Sequence, residues 1–128
     1  TRFGVLFTHE IKAYMPQEDG RMLKRALNFG YGMDDCAIYN YWAEDCPIKA
    51  GNDDIKFLLM KRGKDLLLVV CTWNPKPEKA TLTLDLKALG VTPKEAVNEE
   101  KPDEKYAWKD GKLELDLAGY DVKMIRLK

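Results

Sequence analysis

The sequence predicts an α+β protein in which an N-terminal βαβ segment is followed by an antiparallel all-β sandwich. Residues 1–52 read as a strand, a helix and a strand in turn, which is the order of a βαβ unit. Residues 53–128 hold short apolar strands separated by turns about every 8–12 residues, a spacing typical of sandwiches. We therefore expect a βαβ segment over residues 1–52 and a β-sandwich domain over residues 53–128.

The predicted βαβ segment begins with "RFGVLFTHEI", whose nearly continuous hydrophobicity is typical of a strand covered on both faces. After a polar break, "RMLKRALNF" places apolar residues at helical spacing, and glycines follow it. "CAIYNYW", residues 36–42, reads as a second, aromatic-rich strand. This order predicts two parallel strands joined by a right-handed crossover.

The predicted sandwich opens with "IKFLLMKR" and "DLLLVVCTW", two strands that a short turn at residues 63–64 joins as a hairpin. Residues 66–70 are apolar throughout, so we expect this strand to be buried on both faces and to end in a turn at Asn74 and Pro75. A second hairpin is predicted at residues 110–111. In "ATLTLDL" strict alternation puts three leucines on one face of a strand: Leu82, Leu84 and Leu86.

The composition excludes several classes of function. Lys+Arg and Asp+Glu both number 21, so the net charge is zero, and no basic stretch indicates a nucleic-acid partner. No window approaches the roughly 18 apolar residues that a membrane span needs. One His and three Cys without a CxxC pair do not form a zinc pattern, and Cys71, inside an apolar strand, is predicted to be a core residue. We predict no cofactor.

The second half of the chain carries a family resemblance. The order "LLLVVCTWNPKPEKATLTLDLKALGV", "EAVNEE" and "DGKLELDLAGYDVKMIRL" resembles the C-terminal antiparallel β-domain of large bacterial glycoside hydrolases, of the α-galactosidase-like or family-123-like kind. The resemblance covers about residues 55–128. Residues 1–50 are similar to the last units of the catalytic (β/α) barrel in those enzymes. One departure is "KPDEKYAW", where many relatives have a "TGE"-type turn.

The resemblance implies the C-terminal region of a carbohydrate-active enzyme, secreted or periplasmic, with the remainder of a larger catalytic domain and carbohydrate as partners. An eight-stranded barrel takes about 250 residues, so we expect this chain of 128 to be catalytically inactive by itself. It opens at Thr1 directly into a predicted strand, as a fragment or a processed protein does. The alternative is a stand-alone α+β binding or interaction module without enzymatic activity.

The candidate site residues lie at the ends of the two predicted parallel strands. Glycosidases use carboxylates at the C-terminal ends of barrel strands, which makes Glu10 the candidate catalytic residue. The alternative is that Glu10 forms an ion pair with His9 in a loop or is simply exposed to solvent. Aromatic rings stack on sugar faces, but they also serve as core or domain-interface residues. The predicted substrate-binding residues are His9, Tyr39, Tyr41 and Trp42.

Overall fold

A computed structural model describes residues 24–128 of the chain. Residues 24–29 are helical and form α1, and a second, short helix, α2, follows the fifth strand. The strands of this part of the chain are β1 (Cys36–Asn40), β2 (Ile48–Ala50), β3 (Ile55–Arg62), β4 (Asp65–Thr72), β5 (Glu78–Leu84), β6 (Ala96–Asn98), β7 (Lys105–Lys109), β8 (Lys112–Leu117) and β9 (Val122–Leu127), with α2 at Leu86–Leu89.

All nine strands in residues 24–128 belong to one antiparallel sheet. Their order across it is β1-β3-β4-β9-β6-β7-β8-β5-β2. The sheet curls on itself, because residues of β3 and β4 and residues of β5 and β8 share a single apolar core. Its two edge strands, β1 and β2, are consecutive in the chain, and residues 41–47 connect them. The structure is therefore a mostly antiparallel β-protein with little helix.

The inner face of the curled sheet holds the larger core. Side chains alternate along each strand, so every second residue points inward. On β4 the inward residues are Leu66, Leu68 and Val70. On β5 and β8 the leucines at every second position face them from the other half: Leu82, Leu84, Leu113, Leu115 and Leu117.

The outer face of the β3–β4–β9 region forms a second, smaller core beneath α1. Leu67 and Val69 of β4 pack there with Ala26 and Phe29 of the helix and Met60 of β3. Strand β4 is therefore buried on both faces, which confirms the prediction made from its unbroken apolar run. Cys71 is also fully buried, as predicted, and none of the three cysteines, all within residues 24–128, forms a disulfide.

Three arginines attach α1 to the sheet. Arg62 Nη1 donates to the carbonyl oxygen of Phe29 at 3.2 Å, and Arg25 Nη1 donates to the carbonyl oxygen of Glu99 at 3.2 Å. The guanidinium of Arg126 lies 4.8 Å from the centre of the Phe29 ring. Gly30 follows the helix with φ of 130°, and a Cβ atom there would lie 2.8 Å from Arg62 Cδ. A glycine is needed at this position for both reasons.

The two predicted hairpins are confirmed. Strands β3 and β4 pair up to Arg62 and Asp65, which leaves a two-residue loop, and β7 and β8 pair up to Lys109 and Lys112. In the second loop both central residues, Asp110 and Gly111, have positive φ, as a type I′ turn requires. This turn type matches the twist of the flanking strands and explains the Asp-Gly pair.

Other predictions on the elements need correction or stay open. The leucine strand ends at Leu84, because the side chain of Asp85 accepts a hydrogen bond from the backbone N–H of Ala88 and begins α2 there, with Leu86 as its first residue. Strand β1 ends at Asn40 and not at residue 42.

The first predicted strand, residues 2–11, lies outside the described residues, so its parallel pairing stays a prediction. Among the described strands, β1 pairs only with β3, and that pairing is antiparallel. The domain boundary after residue 52 is untested.

Candidate functional site

The aromatic residues that follow β1 lie at one end of the sheet. Tyr39 and Tyr41 both pack against the inner core, whereas Trp42 is 49% exposed. The rings of Tyr41 and Trp42 meet edge to face with their centroids 5.1 Å apart, and Tyr41 also contacts Phe57 at 6.3 Å. Burial raises the pKa of the Tyr41 hydroxyl above its usual range, so this group is neutral at physiological pH.

A lysine joins this aromatic group to a second exposed tryptophan. Lys56 Nζ lies 4.9 Å from the ring centroid of Tyr41 and 4.9 Å from that of Trp73. Strand register explains the contact, because Lys56 of β3 pairs with Cys71 of β4, near the end of that strand. Trp73 is 40% exposed, and its backbone N–H donates to the carbonyl oxygen of Asp54 at 2.9 Å. The ends of three strands therefore bring two aromatic rings to one ammonium group.

The corner at residues 72–76 fixes the position of Trp73. Thr72 is fully buried, and its hydroxyl donates to Glu78 and accepts from the backbone N–H of Asn74 at 3.0 Å. The side-chain oxygen of Asn74 accepts from the backbone N–H of Lys76 at 3.0 Å, which is an Asx turn. The buried threonine is thereby hydrogen bonded, and the corner is closed by local contacts.

A cavity of about 430 Å³, here called the seam cavity, lies between the two edges of the curled sheet. Its buried apolar residues come from β2 and β3: Ile48, Ile55 and Phe57. Its polar residues come from the connecting segments and the same two strands: Glu44, Lys49, Asn52, Asp53 and Lys56. The ring of Tyr41 also lines it. The cavity thus combines an apolar part, an aromatic ring and groups that can donate or accept hydrogen bonds.

A second region lies at the other end of β3 and β4, and its charged side chains are paired with one another. Arg126 forms two hydrogen bonds of 2.8 Å with the carboxylate of Glu99, and Arg62 forms one of 2.9 Å with Asp35. Hydrogen bonding to Glu99 raises the pKa of the Arg126 guanidinium. Two further cavities, of about 740 and 540 Å³, are both lined by Asp65, Glu99 and Arg126. The Arg126–Glu99 pair joins β9 to the segment after β6, and the Arg62–Asp35 pair joins the end of β3 to the residue before β1.

The predicted site residues divide into three groups. His9 and Glu10 lie outside the described residues, so their roles stay predictions. The structure brings Tyr41 and Trp42 into contact, while Tyr39 packs on the core. The sequence did not point to the lysine at position 56, or to the tryptophan at position 73 as its neighbour, because their proximity depends on strand register and not on local pattern.

No group of three or more His, Cys, Asp or Glu side chains within residues 24–128 is arranged to hold a metal ion. No helix in those residues is long and apolar enough to cross a membrane.

The chain belongs to the family of glycoside hydrolase 123 C-terminal domains. The model of that family matches residues 25–111, about two-thirds of the chain. The resemblance to the C-terminal part of a glycoside hydrolase, and its family-123 form in particular, is confirmed by this match. A search of curated proteins finds no significant match.

Solved structures of two other proteins are similar to part of the chain. A GH27 β-L-arabinopyranosidase from Geobacillus stearothermophilus, in complex with arabinose, is 16% identical with a TM-score of 0.47, over 60% of this chain and 18% of that one. AmyP, in complex with maltotriose, is 12% identical with a TM-score of 0.48, over 60% of this chain and 15% of that one. This chain therefore spans less than a fifth of the length of either protein.

Proposed function

We propose that this chain is the C-terminal region of a glycoside hydrolase, that it is not catalytic by itself, and that it stabilises the catalytic domain by packing against it. The single observation that carries the proposal is the match to the glycoside hydrolase 123 C-terminal domain over residues 25–111. The remainder of the enzyme, in this proposal, contains the (β/α) barrel with the carboxylates that cleave the glycosidic bond.

The architecture of residues 24–128 supports a structural role. Barrel enzymes carry their catalytic groups where parallel strands end, and every strand pair among the described residues is antiparallel. The β3–β4–β9 part of the sheet is buried on both faces, and its outer face is covered by α1. We infer that residues 1–52 form the βαβ segment closing the barrel, with β1 and β2 also pairing to β3 and β5, and that residues 53–128 form the sandwich domain. The catalytic domain, in this proposal, joins on the α1 side.

Carbohydrate contact through Tyr41 and Trp42 is the second part of the proposal. The edge-to-face contact between these rings and the exposure of Trp42 support it. Tyr39 packs on the inner core as Tyr41 does, and in this proposal it would meet the sugar beside Tyr41. His9 would supply a hydrogen bond nearby.

An assay of the 128-residue chain on a panel of nitrophenyl glycosides tests the non-catalytic part. We expect no release of nitrophenol above the buffer rate for galactosides, glucosides or N-acetylhexosaminides. The matched variant is Glu10→Gln, because Glu10 is the candidate catalytic residue of this chain. Turnover by the unaltered chain that Glu10→Gln abolishes would overturn the proposal and make the chain itself the enzyme.

A further inference from the structure

We propose that the seam cavity is a binding site for a neutral pyranose, with the ring of Tyr41 against the sugar and the charged residues around it bonding to the hydroxyls. The inference rests on the proposed function only for the class of ligand, carbohydrate. The site is made by residues 41–57, so it includes two positions, Asp53 and Lys56, that sequence patterns did not single out.

The position of the cavity favours a ligand site. The curled sheet does not close between β1–β3 on one side and β2 on the other, and the seam cavity occupies this opening. Openings at the mouths of curled and barrel-shaped sheets are common ligand sites. The volume of about 430 Å³ falls within the range of about 300–1,000 Å³ for small-molecule pockets.

The residues around the cavity match the chemistry of an uncharged sugar. A pyranose has C–H groups that pack on apolar and aromatic surface, and hydroxyls that both donate and accept hydrogen bonds. For the C–H groups the cavity provides the ring of Tyr41 and an apolar interior. For the hydroxyls it provides two carboxylates and two ammonium groups. The charges of Glu44, Asp53, Lys49 and Lys56 cancel, so the site does not favour an anion over a neutral ligand.

Lys56 is preorganised for binding. Its ammonium group lies between the rings of Tyr41 and Trp73, at 4.9 Å from each centroid. A side chain that is already held in place loses less conformational freedom when a ligand binds. Lys56 thus serves as a positioned hydrogen-bond donor, and Trp73 serves as a positioning residue that acts through it.

The two larger cavities fit a sugar less well. The cavity of about 740 Å³ has no aromatic ring in its wall, and its Arg126 is paired with Glu99. The cavity of about 540 Å³ includes Phe29, but its arginines Arg62 and Arg126 are already paired with the carboxylates of Asp35 and Glu99. Three cavities of residues 24–128 are described above. Of these three, the seam cavity alone has an aromatic ring in its wall and no arginine that is paired with a carboxylate.

The test is an NMR titration of the 128-residue chain with methyl galactoside, methyl glucoside, N-acetylglucosamine and, as the anionic probe, glucuronate. We expect saturable shifts of the Asp53 and Lys56 amides with at least one neutral sugar, and no tighter binding of glucuronate. Lys56→Gln and Asp53→Asn should each weaken that binding about tenfold. Lys64→Gln is the matched control, because residue 64 lies in the turn beyond the far end of β3 and should change nothing.

The outcomes separate this inference from the proposed function. Saturable binding that the two cavity variants weaken, without sugar cleavage, supports the seam site. The site is overturned if none of the neutral sugars gives saturable shifts, if the shifts map to another cavity, or if the cavity variants bind like the control. Hydrolysis of an added glycoside, by contrast, would contradict the proposed non-catalytic function alone. Unfolding midpoints of all variants show that loss of binding is not loss of fold.

Discussion

The direction in which a single side chain points decides what the protein tolerates at that position. On β5, Leu84 is buried in the inner core, whereas its neighbour Thr83 is exposed. Thr83 lies between Lys112 of β8 and Lys49 of β2 in the sheet register. An aspartate would therefore be buried among leucines at position 84 but exposed between two lysines at position 83.

Leu84→Asp should destabilise the protein by about 3 kcal/mol or more, because it buries an unpaired carboxylate. Thr83→Asp should change the free energy of unfolding by less than about 0.5 kcal/mol, since its carboxylate meets two lysines across the strands. Urea denaturation of both variants measures the difference. Equal midpoints would mean that the assigned facing of β5 is wrong.

Tyr106 gives the molecule a dependence on alkaline pH. Its hydroxyl accepts a hydrogen bond of 3.0 Å from Asn98 Nδ2 and lies beside Glu104. Burial, as the largest cause, raises the pKa of Tyr106 to about 12 from the ordinary value of 10.0. The folded state therefore holds this proton more tightly than the unfolded state.

This contribution to stability is complete below pH 10 and is lost as the pH rises towards 12. Between pH 9 and pH 11.5, the unaltered chain should lose about 1–2 kcal/mol more stability than Tyr106→Phe loses. Urea denaturation of both proteins at the two pH values measures this. A constant difference between them across the range would show that Tyr106 titrates normally.

Among the elements, β9 is joined to the segment after β6 by the Arg126–Glu99 ion pair, and the guanidinium of Arg126 also lies over the Phe29 ring of α1. Arg126 and Glu99 are mostly shielded from solvent, with 23% and 17% of their side chains exposed, and their two hydrogen bonds are parallel and short. The pair Lys105–Glu95 is similar in length, at 3.2 Å, but is 66% and 41% exposed. Screening by water should make the second pair much weaker than the first.

Glu99→Gln should cost about 1–3 kcal/mol, because it leaves the partly buried guanidinium of Arg126 with a neutral partner. Glu95→Gln, the matched control, should cost about 0.5 kcal/mol or less. Thermal or urea unfolding distinguishes the two. If the control loses as much stability as Glu99→Gln, the shielding of the Arg126–Glu99 pair from solvent does not make it the stronger of the two.

The corner after β4 is held by a close approach of two backbone segments. The backbone N–H of Tyr120 donates to the carbonyl oxygen of Asn74 at 2.9 Å. A Cβ atom on Gly119 would lie 2.0 Å from the carbonyl oxygen of Pro75, so no larger residue fits without moving the backbone. At Gly51 an added Cβ would meet only ordinary contacts, the nearest at 3.6 Å.

Gly119→Ala should therefore lower the free energy of unfolding by about 2 kcal/mol. Gly51→Ala, with the same chemical change, should be close to neutral. Because Gly119→Ala moves the corner, it should also change the fluorescence of Trp73, which can be recorded in a Trp42→Phe and Trp108→Phe background. Identical stability of the two alanine variants would contradict the close approach.

How far the sequence predicts these elements depends on the range of the interactions that fix them. The Asp-Gly hairpin and the double burial of β4 follow from local chemistry, and the sequence predicts both. The placement of Lys56 between Tyr41 and Trp73 is not predicted, because it needs the register of β1 on β3 and of β3 on β4, which no local pattern gives. The end of the leucine strand is not predicted either. Asp85 caps α2 and thereby ends the strand, whereas the alternation of leucines continues to Leu86 and does not show where the helix begins.

For the whole molecule, one curled sheet provides both a rigid support and an open edge. The inner core joins the two halves of the sheet, and the outer core joins the sheet to α1. The seam cavity lies away from that helix, where the sheet edges fail to meet. In our proposal the catalytic domain packs on the helix side, which leaves the seam cavity accessible to carbohydrate.

The most direct test compares the complete glycoside hydrolase that, in our proposal, contains this chain with a form that lacks residues 24–128. Thermal unfolding and kcat are measured on both, with kcat taken well below the lower unfolding midpoint and expressed per folded molecule. We predict a lower unfolding midpoint for the shortened enzyme and a kcat within about twofold of the complete one, a change below about 0.5 kcal/mol in the activation barrier. An unchanged midpoint together with loss of kcat would contradict the proposal, because the chain would then supply a catalytic group and not stability.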